Sequence, residues 1–314
     1  MKIRRVGVLM GGPSSEREIS IKSGKAVCKA LEARHIDYVS VELMAGPNVN
    51  GYKESVADLI HRMKIDVAFV ALHGEFGEDG VVQELLEKMN IPHTGSLSRP
   101  SRVAMNKISA KEVFRLNFIP IARHEILTKD SFDKGIDIKR YFKNLGPSLV
   151  VKPSNGGSSI GLNIVGNEPD LKDAIRDAFK YDDKLIIEEY ISGREITVGV
   201  IEDRALPIVE IVPKRKFFDF TAKYEKGLTE YIVPAEIEES VYKKCQDIGL
   251  RAHKALSARS FSRVDIILNE KAGPVVLEVN TIPGLTETSL LPKAAKAVGI
   301  CFEDLCIKIL ESAV

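Results

Sequence analysis

The sequence predicts an α/β protein with more than one domain. Its 314 residues exceed what one ordinary hydrophobic core encloses. In the N-terminal third, short apolar runs alternate with helical patterns, which is typical of βαβ units and a parallel sheet. After Pro147 the strand patterns follow one another closely enough to pair as antiparallel hairpins, which indicates a second kind of sheet.

The composition is that of a soluble globular protein without a broad charged surface. Hydrophobic residues make up 44% and charged residues 28%, and 45 basic residues balance 44 acidic ones. This balance argues against a protein that wraps nucleic acid or lies on an anionic membrane. The apolar run near the start ends at Gly11, Gly12 and Pro13, which favours a buried first strand over a signal peptide. We therefore expect a cytoplasmic protein with no membrane or nucleic-acid partner.

The four cysteines carry no signal of a metal or disulfide site. They show neither a CxxC spacing nor a nearby histidine cluster, so the sequence predicts reduced and mostly buried thiols. They are Cys28, Cys245, Cys301 and Cys306.

Three short strands are predicted in the N-terminal region, at residues 5–10, 38–43 and 66–72. Helical patterns separate them, so the strands are expected to be parallel. Gly, Ser and Pro cluster at residues 94–100, before a new helix predicted from about Val103. We place the first domain boundary near residue 96.

The remaining chain predicts mostly antiparallel strands. The predicted strands are at residues 149–153, 161–165, 186–191, 195–201, 205–212, 262–268 and 275–280. A long helix is predicted at residues 238–258, two short helices after Ser289, and an irregular polar stretch at residues 217–229.

A glycine-rich loop at residues 152–161 has the parts of a phosphate-binding site. It offers unobstructed backbone N–H groups, small hydroxyl side chains, and Lys152 at the end of the preceding strand. It is not a P-loop, because the lysine precedes the glycines and a strand follows them. A glycine-rich hairpin is also a common plain turn, so the pattern alone leaves both alternatives open.

Polar side chains alternate along the last two predicted strands. Arg263 and Asp265 are two residues apart, as are Glu278 and Asn280, so each pair lies on one face of its strand. With a turn centred on residues 271–272, Asp265 lies opposite Glu278. The same register places Arg263 opposite Asn280, so four polar groups share one face.

Two carboxylates opposite each other on neighbouring strands predict a cation between them. Without one, Asp265 and Glu278 repel each other. Mg²⁺ fits, because it prefers oxygen ligands and combines one or two carboxylates with substrate phosphates. The alternative is a solvent-exposed face on which the acids pair with Arg263, although the flanking apolar residues argue against a wet surface.

The segment MGGPSSEREIS follows the first predicted strand and opens a helix. Ser15 and Glu18 have the spacing of a capping box, which gives both a structural explanation. Glu16 either opposes the helix dipole or faces a ligand, and its place at the carboxyl end of a parallel strand favours the ligand.

The third predicted strand ends in LHGEFGEDG at the same sheet edge. A single histidine is usually structural, but His73 adjoins Gly74 in a glycine-rich loop at an edge where α/β domains bind ligands. We therefore expect His73 to face a ligand. Glu78 and Asp79 are interpreted as caps of the helix that begins at Val81.

Taken in order along the chain, these segments resemble one family, the D-alanine:D-alanine ligases of the ATP-grasp superfamily. The resemblance covers essentially the whole chain and rests on GGPSSEREIS, LHGEFGEDG, MNKISAK, KPSNGGSSIG, EEYISGREITVGV, AKYEKGLTEYIVPA, SRVDI and LEVNTIPGLTETSLLP. It implies an ATP-grasp fold, with a Rossmann-like parallel-sheet domain at residues 1–96 and two α+β domains, 97–187 and 188–314, that enclose ATP. The chain departs from the family at Asn106, where Asp is usual, and at Arg99 and Arg102, where small residues are common.

The resemblance also implies roles for individual residues. For ATP they are Lys107 and Lys152 at the phosphates, Glu188, Glu189 and Ile191 at adenine, Glu195 at ribose, and Lys223 in a mobile closing loop. For two Mg²⁺ or Mn²⁺ ions they are Asp265, Glu278 and Asn280. For the first D-alanine the resemblance implies Glu16 and His73, with Ser158 and Tyr224 hydrogen-bonded to Glu16. It implies that Arg263 and the N–H of Gly284 form an oxyanion hole. For the second D-alanine it implies Ser289 and Leu290.

The implied reaction joins two D-alanines through an acyl phosphate made from ATP, for peptidoglycan synthesis, in an enzyme that the family leads us to expect as a homodimer. Two alternatives stay open. One is another ATP-grasp ligase, using D-lactate as the second substrate or joining other carboxylates and amines. The other is a nucleotide-binding regulator without catalysis, which has no physical need for the paired carboxylates.

Overall fold

The N-terminal region is a parallel sheet with helices packed on it, as the alternating pattern predicts. The structure is a computed structural model that describes residues 5–44, 49–213 and 229–313. The first sheet has the order β2-β1-β3, with β1 (Val6–Gly11), β2 (Tyr38–Leu43) and β3 (Val67–Val70). Its helices are α1 (Arg17–Ala33), α2 (Val49–Met63) and α3 (Val81–Lys88). Every residue of β1 is buried, as a central parallel strand requires.

Two helices follow where the sequence predicts one from about Val103. They are α4 (Ser98–Met105) and α5 (Lys107–Leu116). Asn106 separates them because its backbone is extended, with φ −88° and ψ 105°. Its side chain accepts a hydrogen bond from the N–H of Ser109 at 2.9 Å and so caps α5. The predicted helix exists, but it begins earlier and is broken at Asn106.

The second sheet is antiparallel and has the order β4-β7-β5-β6. Its strands are β4 (His124–Thr128), β5 (Leu149–Pro153), β6 (Asn163–Val165) and β7 (Lys184–Glu189). Its helices are α6 (Lys129–Asp133), α7 (Lys139–Leu145) and α8 (Glu168–Ala178). The hairpin predicted around the glycine-rich loop is the β5–β6 pair. The second domain boundary expected from the sequence, after residue 187, falls inside β7.

The third sheet is also antiparallel and has the order β11-β10-β8-β12-β13, with β9 paired to β8. Its strands are β8 (Arg194–Ile201), β9 (Arg204–Ala205), β10 (Val209–Pro213), β11 (Thr229–Ile232), β12 (Phe261–Asn269) and β13 (Gly273–Asn280). The long helix α9 (Glu239–Ala255) is followed, after β13, by α10 (Leu290–Lys296) and α11 (Phe302–Glu311). The predicted long helix and the two short C-terminal helices are confirmed.

The two faces of the third sheet have different partners. Ile196, Val198 and Val264 pack under α9 in one apolar cluster. On the opposite face, Phe261 and neighbouring apolar residues share a cluster with α1, α10 and α11, including Leu31. Farther along that face the side chains become polar, and this is where the candidate site lies. In the described part of the chain, no helix is both long enough and apolar enough to cross a membrane.

Candidate active site

A cavity of about 640 Å³ lies between the second and third sheets. This size suits a small-molecule ligand. The residues that both line the cavity and were assigned to the site from the sequence are Lys107, Lys152, Ser158, Glu188, Glu189, Ile191, Glu195, Asp265 and Glu278. The glycine-rich loop at residues 156–160 lines the cavity as well, so it is part of a site rather than a plain surface turn.

One side of the cavity carries a buried group of charges, the lysine wall, formed by Lys107, Lys111, Lys152 and Glu188. The Glu188 carboxylate lies between two ammonium groups. Its Oε2 is 2.9 Å from Lys152 Nζ, and its Oε1 is 2.8 Å from Lys111 Nζ. Glu188 and Lys111 are only 3% and 1% exposed, so neither charge is screened by bulk water.

The lysine wall keeps Glu188 ionised. Burial favours the neutral acid and raises the pKa, but the ammonium groups of Lys152 and Lys111 outweigh burial and lower the pKa of Glu188 to about 2. Burial also lowers the pKa of Lys107 and of Lys111, and nearby carboxylates oppose this shift. At neutral pH Glu188 is therefore a hydrogen-bond acceptor only.

Lys107 joins the start of α5 to the glycine-rich loop. Its Nζ donates to the carbonyl of Gly156 at 2.5 Å, and its backbone N–H donates to the carbonyl of Ser154 at 2.8 Å. Asn106 supports this junction, because its side-chain amide donates to Asn155 Oδ1 at 2.9 Å. Asn155 in turn donates to Asp182 from its backbone and its side chain.

The facing group of polar side chains, the acidic wall, consists of Arg263, Asp265, Glu278 and Asn280. Asp265 lies opposite Glu278 and Arg263 opposite Asn280 in the β12–β13 pair, so the predicted register is confirmed. Glu195 and Thr197 of β8 continue this face beside Ile267 and Asp265.

The turn that was expected to produce this register is different. Asn269 pairs with Gly273, so the turn centres on one residue and not on residues 271–272. A β-bulge at Leu277 lies between the Ile266–Val276 and Asp265–Glu278 pairs. It leaves Leu277 without a paired residue on β12 and so restores the predicted pairing. As a result, Leu277 and its neighbour Glu278 both line the cavity.

The charges of the acidic wall are partly paired. Arg263 forks onto Asp265, with Nε to Oδ1 at 2.8 Å and Nη2 to Oδ2 at 2.7 Å. Asn280 donates to the same Asp265 oxygen at 3.0 Å. Asp265 therefore pairs with Arg263, as the alternative interpretation predicted. The solvent-exposed face that this alternative also assumed is wrong, because Asp265 is only 7% exposed. The Glu278 side chain makes no hydrogen bond or ion pair to a residue that the structure describes.

The acidic wall fits a magnesium ion that also binds phosphate oxygens. Two carboxylates face each other across the strands, and Glu278 keeps its acceptor oxygens available. Within the described ranges no group of three or more His, Cys, Asp or Glu side chains is placed to hold a metal without help. Mg²⁺ takes one or two carboxylates in proteins and completes its shell with phosphates and water.

Glu16 connects the N-terminal region to the glycine-rich loop. Ser158 Oγ donates a hydrogen bond to Glu16 Oε1, which joins the pair that the resemblance implies. The predicted capping box is wrong, because α1 begins at Arg17 without a side-chain cap and Ser15 is exposed. Instead, Ser14 Oγ accepts from the N–H of Glu16 at 3.0 Å. The Glu16 side chain therefore points from the N-terminal region toward the glycine-rich loop.

His73 is buried and held as one neutral tautomer. Its Nδ1 is 3.1 Å from the carbonyl oxygen of Ile282, which can only accept, so Nδ1 carries the proton. Its Nε2 then accepts from Ser23 Oγ at 2.9 Å. Burial lowers the pKa of His73 and outweighs the attraction of Glu16. Both ring nitrogens thus bind protein groups, and Ser23 is a positioning residue that sequence reasoning missed.

Glu78 is a second missed residue. It does not cap α3, since its carboxylate accepts from the N–H of Gly74 at 2.8 Å. Burial, together with the nearby Glu16, raises its pKa well above the usual range. Asp79 does have the predicted capping role and accepts from the N–H of Val81 at 3.0 Å. Glu78 is therefore a buried carboxyl group close to Glu16.

The segment after β13 presents the parts expected for a second substrate. The N–H of Gly284 donates to no acceptor among the described residues. A Cβ atom at Gly284 would lie 2.9 Å from Ser289 Oγ, so a side chain at this position would force Ser289 to shift. Ser289 precedes α10, which begins at Leu290, and its Oγ accepts from the N–H of Thr286 at 3.2 Å.

The expected adenine segment lies at the end of β7. Ile191 and Glu195 line the cavity. The Glu189 carboxylate, however, is bound by Arg123, with Arg123 Nε to Oε2 at 2.8 Å, so mainly its backbone is available to a ligand. Lys223 and Tyr224 lie outside the described residues.

The chain matches known proteins over its whole length. Family models described as D-ala D-ala ligase N-terminus and D-ala D-ala ligase C-terminus match residues 44–96 and 113–311. The chain belongs to the D-ala D-ala ligase family. A D-alanine--D-alanine ligase of Geotalea uraniireducens is 44% identical over 313 residues, covering 100% of this chain and 96% of the relative.

Solved structures of this family have the same fold. The D-alanine--D-alanine ligase of Bacillus anthracis complexed with ATP has a TM-score of 0.83 and 34% identity, covering 99% of this chain and 97% of that one. The VanG D-Ala:D-Ser ligase of Enterococcus faecalis has a TM-score of 0.84 and 26% identity, covering 100% of both chains. The expected ATP-grasp fold, with one parallel sheet and two antiparallel sheets, is thereby confirmed.

Proposed function

We propose that this chain joins two D-alanine molecules to D-alanyl-D-alanine, with conversion of ATP to ADP and phosphate. The observation that carries this proposal is the cavity between the lysine wall and the acidic wall, in a chain whose full length matches D-alanine--D-alanine ligases. Cationic groups on one side and carboxylates on the other suit a triphosphate that must be held while one phosphoryl group is transferred.

ATP lies between the second and third sheets in this proposal. Lys107, Lys152 and the backbone of the glycine-rich loop bind the phosphates, because these residues line the cavity. Ionised Glu188 accepts a hydrogen bond from the adenine amino group, and the segment through Ile191 contacts the base. Glu195, on the inner face of β8, binds the ribose hydroxyls.

Two Mg²⁺ or Mn²⁺ ions fit the acidic wall and are held by Asp265, Glu278 and Asn280. Their chemical contribution is to offset the negative charge of the phosphate oxygens. The guanidinium of Arg263 donates to both carboxylate oxygens of Asp265 and keeps that carboxylate oriented. Among the wall residues, Glu278 has the most acceptor capacity left, so it is the ligand whose loss matters most.

The first step makes an acyl phosphate, because a carboxylate at neutral pH is a poor electrophile. The first D-alanine lies near Glu16 and His73, and its carboxylate oxygen attacks the γ-phosphorus of ATP while the bond to the β-phosphate oxygen breaks. ADP leaves. The Ser158–Glu16 hydrogen bond holds the glycine-rich loop against the N-terminal region during this step.

The second step forms the peptide bond. The amino group of the second D-alanine attacks the acyl carbon, with its carboxylate held at Ser289 and Leu290. Arg263 and the N–H of Gly284 stabilise the oxyanion, and phosphate leaves as the carbon–oxygen bond breaks and takes up the proton that the amine nitrogen loses. Tyr224 and Lys223 are proposed to belong to the loop that excludes water from the acyl phosphate.

We place this activity in peptidoglycan synthesis in the cytoplasm, in a homodimer, on the strength of the family. The three proposed domains are residues 1–96, 97–187 and 188–314. A second candidate is a ligase with a different second substrate, because the D-Ala:D-Ser ligase of Enterococcus faecalis shares the fold over its whole length. D-lactate as the second substrate is the other form of this candidate.

Phosphate release from ATP and Mg²⁺ tests the proposal when products are identified by mass. We expect release with D-alanine alone, with D-alanyl-D-alanine as the product, and none with L-alanine. Release only after addition of D-serine or D-lactate would move the chain to the second candidate. ATP binding without release under any of these conditions would contradict a ligase.

A further inference from the structure

Lys111 is a buried cation for which the proposed reaction has no assigned role. It is 1% exposed, and its Nζ lies 2.8 Å from Glu188 Oε1. Lys152 Nζ lies 2.9 Å from the other oxygen, Glu188 Oε2. One carboxylate therefore serves two ammonium groups, and this part of the wall keeps a net positive charge.

The position of Lys111 in α5 requires a partner. Lys107 and Lys111 are four residues apart and so lie on one face of the helix. That face continues to Phe114, which is fully buried in an apolar cluster. A lysine on a buried helix face is destabilising unless a carboxylate pairs with it, and Glu188 is that partner.

If Lys111 were absent, Lys152 would be the one cation paired with Glu188, and this carboxylate would offset the full positive charge of Lys152. Lys152 lines the cavity and Lys111 does not, so of the two ammonium groups paired with Glu188 only that of Lys152 can contact a ligand there. A second ammonium group on the far oxygen of Glu188 shares the negative charge of this carboxylate. The attraction that Lys152 exerts on an anion in the cavity is then less offset.

We propose that Lys111 is a positioning residue that offsets the charge of Glu188 and so keeps the charge of Lys152 available to the nucleotide phosphates. This inference rests on the proposed ATP site. It makes Lys111 a determinant of affinity for phosphorylated nucleotides and not for adenosine. The role is electrostatic, so a second change that removes the Glu188 charge should compensate for the loss of Lys111.

The test measures binding of ATP and of adenosine by calorimetry, with four proteins in one buffer. They are the wild type, Lys111→Met, the double variant Lys111→Met with Glu188→Gln, and Arg115→Met as a control. Arg115 lies on the same helix and is exposed beside Glu112, so its removal takes away a cation without touching the site.

We expect Lys111→Met to weaken ATP binding at least about tenfold and to leave adenosine binding within about twofold. The double variant should recover most of the wild-type ratio of ATP to adenosine affinity, because a change at adenine caused by Glu188→Gln affects both ligands alike, and Arg115→Met should match the wild type. Equal weakening for ATP and adenosine in Lys111→Met would mean a purely structural role and would overturn the inference. So would a double variant whose ratio of ATP to adenosine affinity is no higher than that of Lys111→Met.

Two further outcomes separate the inference from the proposed function. If the wild type binds ATP and Lys111→Met binds it equally well, only the inference is wrong. If the wild type does not bind ATP, the proposed function itself is contradicted. Should Lys111→Met fail to fold, Lys111→Arg keeps the charge and must retain the wild-type ratio of ATP to adenosine affinity.

Discussion

The two walls of the cavity carry an excess of opposite charge. The lysine wall has three ammonium groups and one carboxylate, with Glu188 bound by Lys152 and Lys111. The acidic wall has two carboxylates and one guanidinium, with Arg263 bound to Asp265. A polyanionic ligand is attracted by the first wall directly. It can approach the second wall only with cations between them.

The difference indicates how one cavity can bind a triphosphate and still react. In the proposed function, direct lysine contacts hold the phosphates, while the acidic wall makes productive binding depend on a divalent ion. Changes on the lysine wall should therefore alter nucleotide affinity at every Mg²⁺ concentration. Changes on the acidic wall should alter the Mg²⁺ dependence and the rate.

The largest effect is expected for Glu278→Gln. The variant keeps the shape of the side chain but loses the carboxylate that is free to bind a metal, so turnover should fall about a thousandfold, or about 4 kcal/mol. D-Alanine-dependent phosphate release measures this loss, and circular dichroism checks the fold. Glu270→Gln is the matched control, because Glu270 is an exposed acid in the turn of the same hairpin. Near-normal turnover by Glu278→Gln would undo the metal assignment.

Lys152→Met should have the next largest effect and should act on affinity. Its loss removes a phosphate donor and leaves Glu188 with one cation, so ATP should bind about a hundredfold more weakly, or about 3 kcal/mol. The fold gain in ATP affinity on adding Mg²⁺ should remain that of the wild type. A variant that instead lost its Mg²⁺ dependence would erase the distinction between the walls.

The pH dependence of stability should report the lysine wall. The pKa of Glu188 is lowered from 4.5 to about 2 in the folded state. A lowered pKa stabilises the fold above the unfolded value, and this stabilisation is lost as the pH falls toward the folded value. Between pH 7 and pH 3 the wild type should lose about 2 kcal/mol relative to Glu188→Gln. Urea unfolding at several pH values measures this difference, and parallel curves would contradict it.

The smallest effect is expected for Asn106→Asp, which installs the residue usual in the family. Asp keeps the cap on the N–H of Ser109 but cannot donate to Asn155 Oδ1. The KM for ATP should rise by a few fold, corresponding to about 1 kcal/mol for one hydrogen bond, with the melting temperature unchanged. Asn106→Ala should lower the melting temperature as well, because it also removes the cap. An unchanged KM in both variants would exclude a role for this junction.

Local patterns predicted the acidic wall well. Alternation along two neighbouring strands fixed which side chains share a face, and the short turn limited the register, so Asp265 and Glu278 were paired correctly. The bulge at Leu277 had no signal in the sequence, since no Gly or Pro marks it. The register was right although the turn was not.

Local patterns predicted only Lys152 of the lysine wall, while the family resemblance supplied Lys107 and Glu188. Lys152 was found from its place beside a glycine-rich loop, but Glu188 lies next to it through the pairing of β5 with β7, which are not consecutive strands along the chain. Lys111 was missed because lysines on helices are normally solvated. Its spacing from Lys107 and from buried Phe114 was the available signal that it lies on an inner face.

We propose that the acidic wall acts through a divalent ion and that the lysine wall does not. Calorimetry of ATP binding over a range of Mg²⁺ concentrations, for the wild type and Glu278→Gln, separates the two. We expect that Mg²⁺ strengthens ATP binding to the wild type, that this gain is lost in Glu278→Gln, and that metal-free binding to the variant is equal or tighter. The same Mg²⁺-dependent gain in both proteins would contradict it.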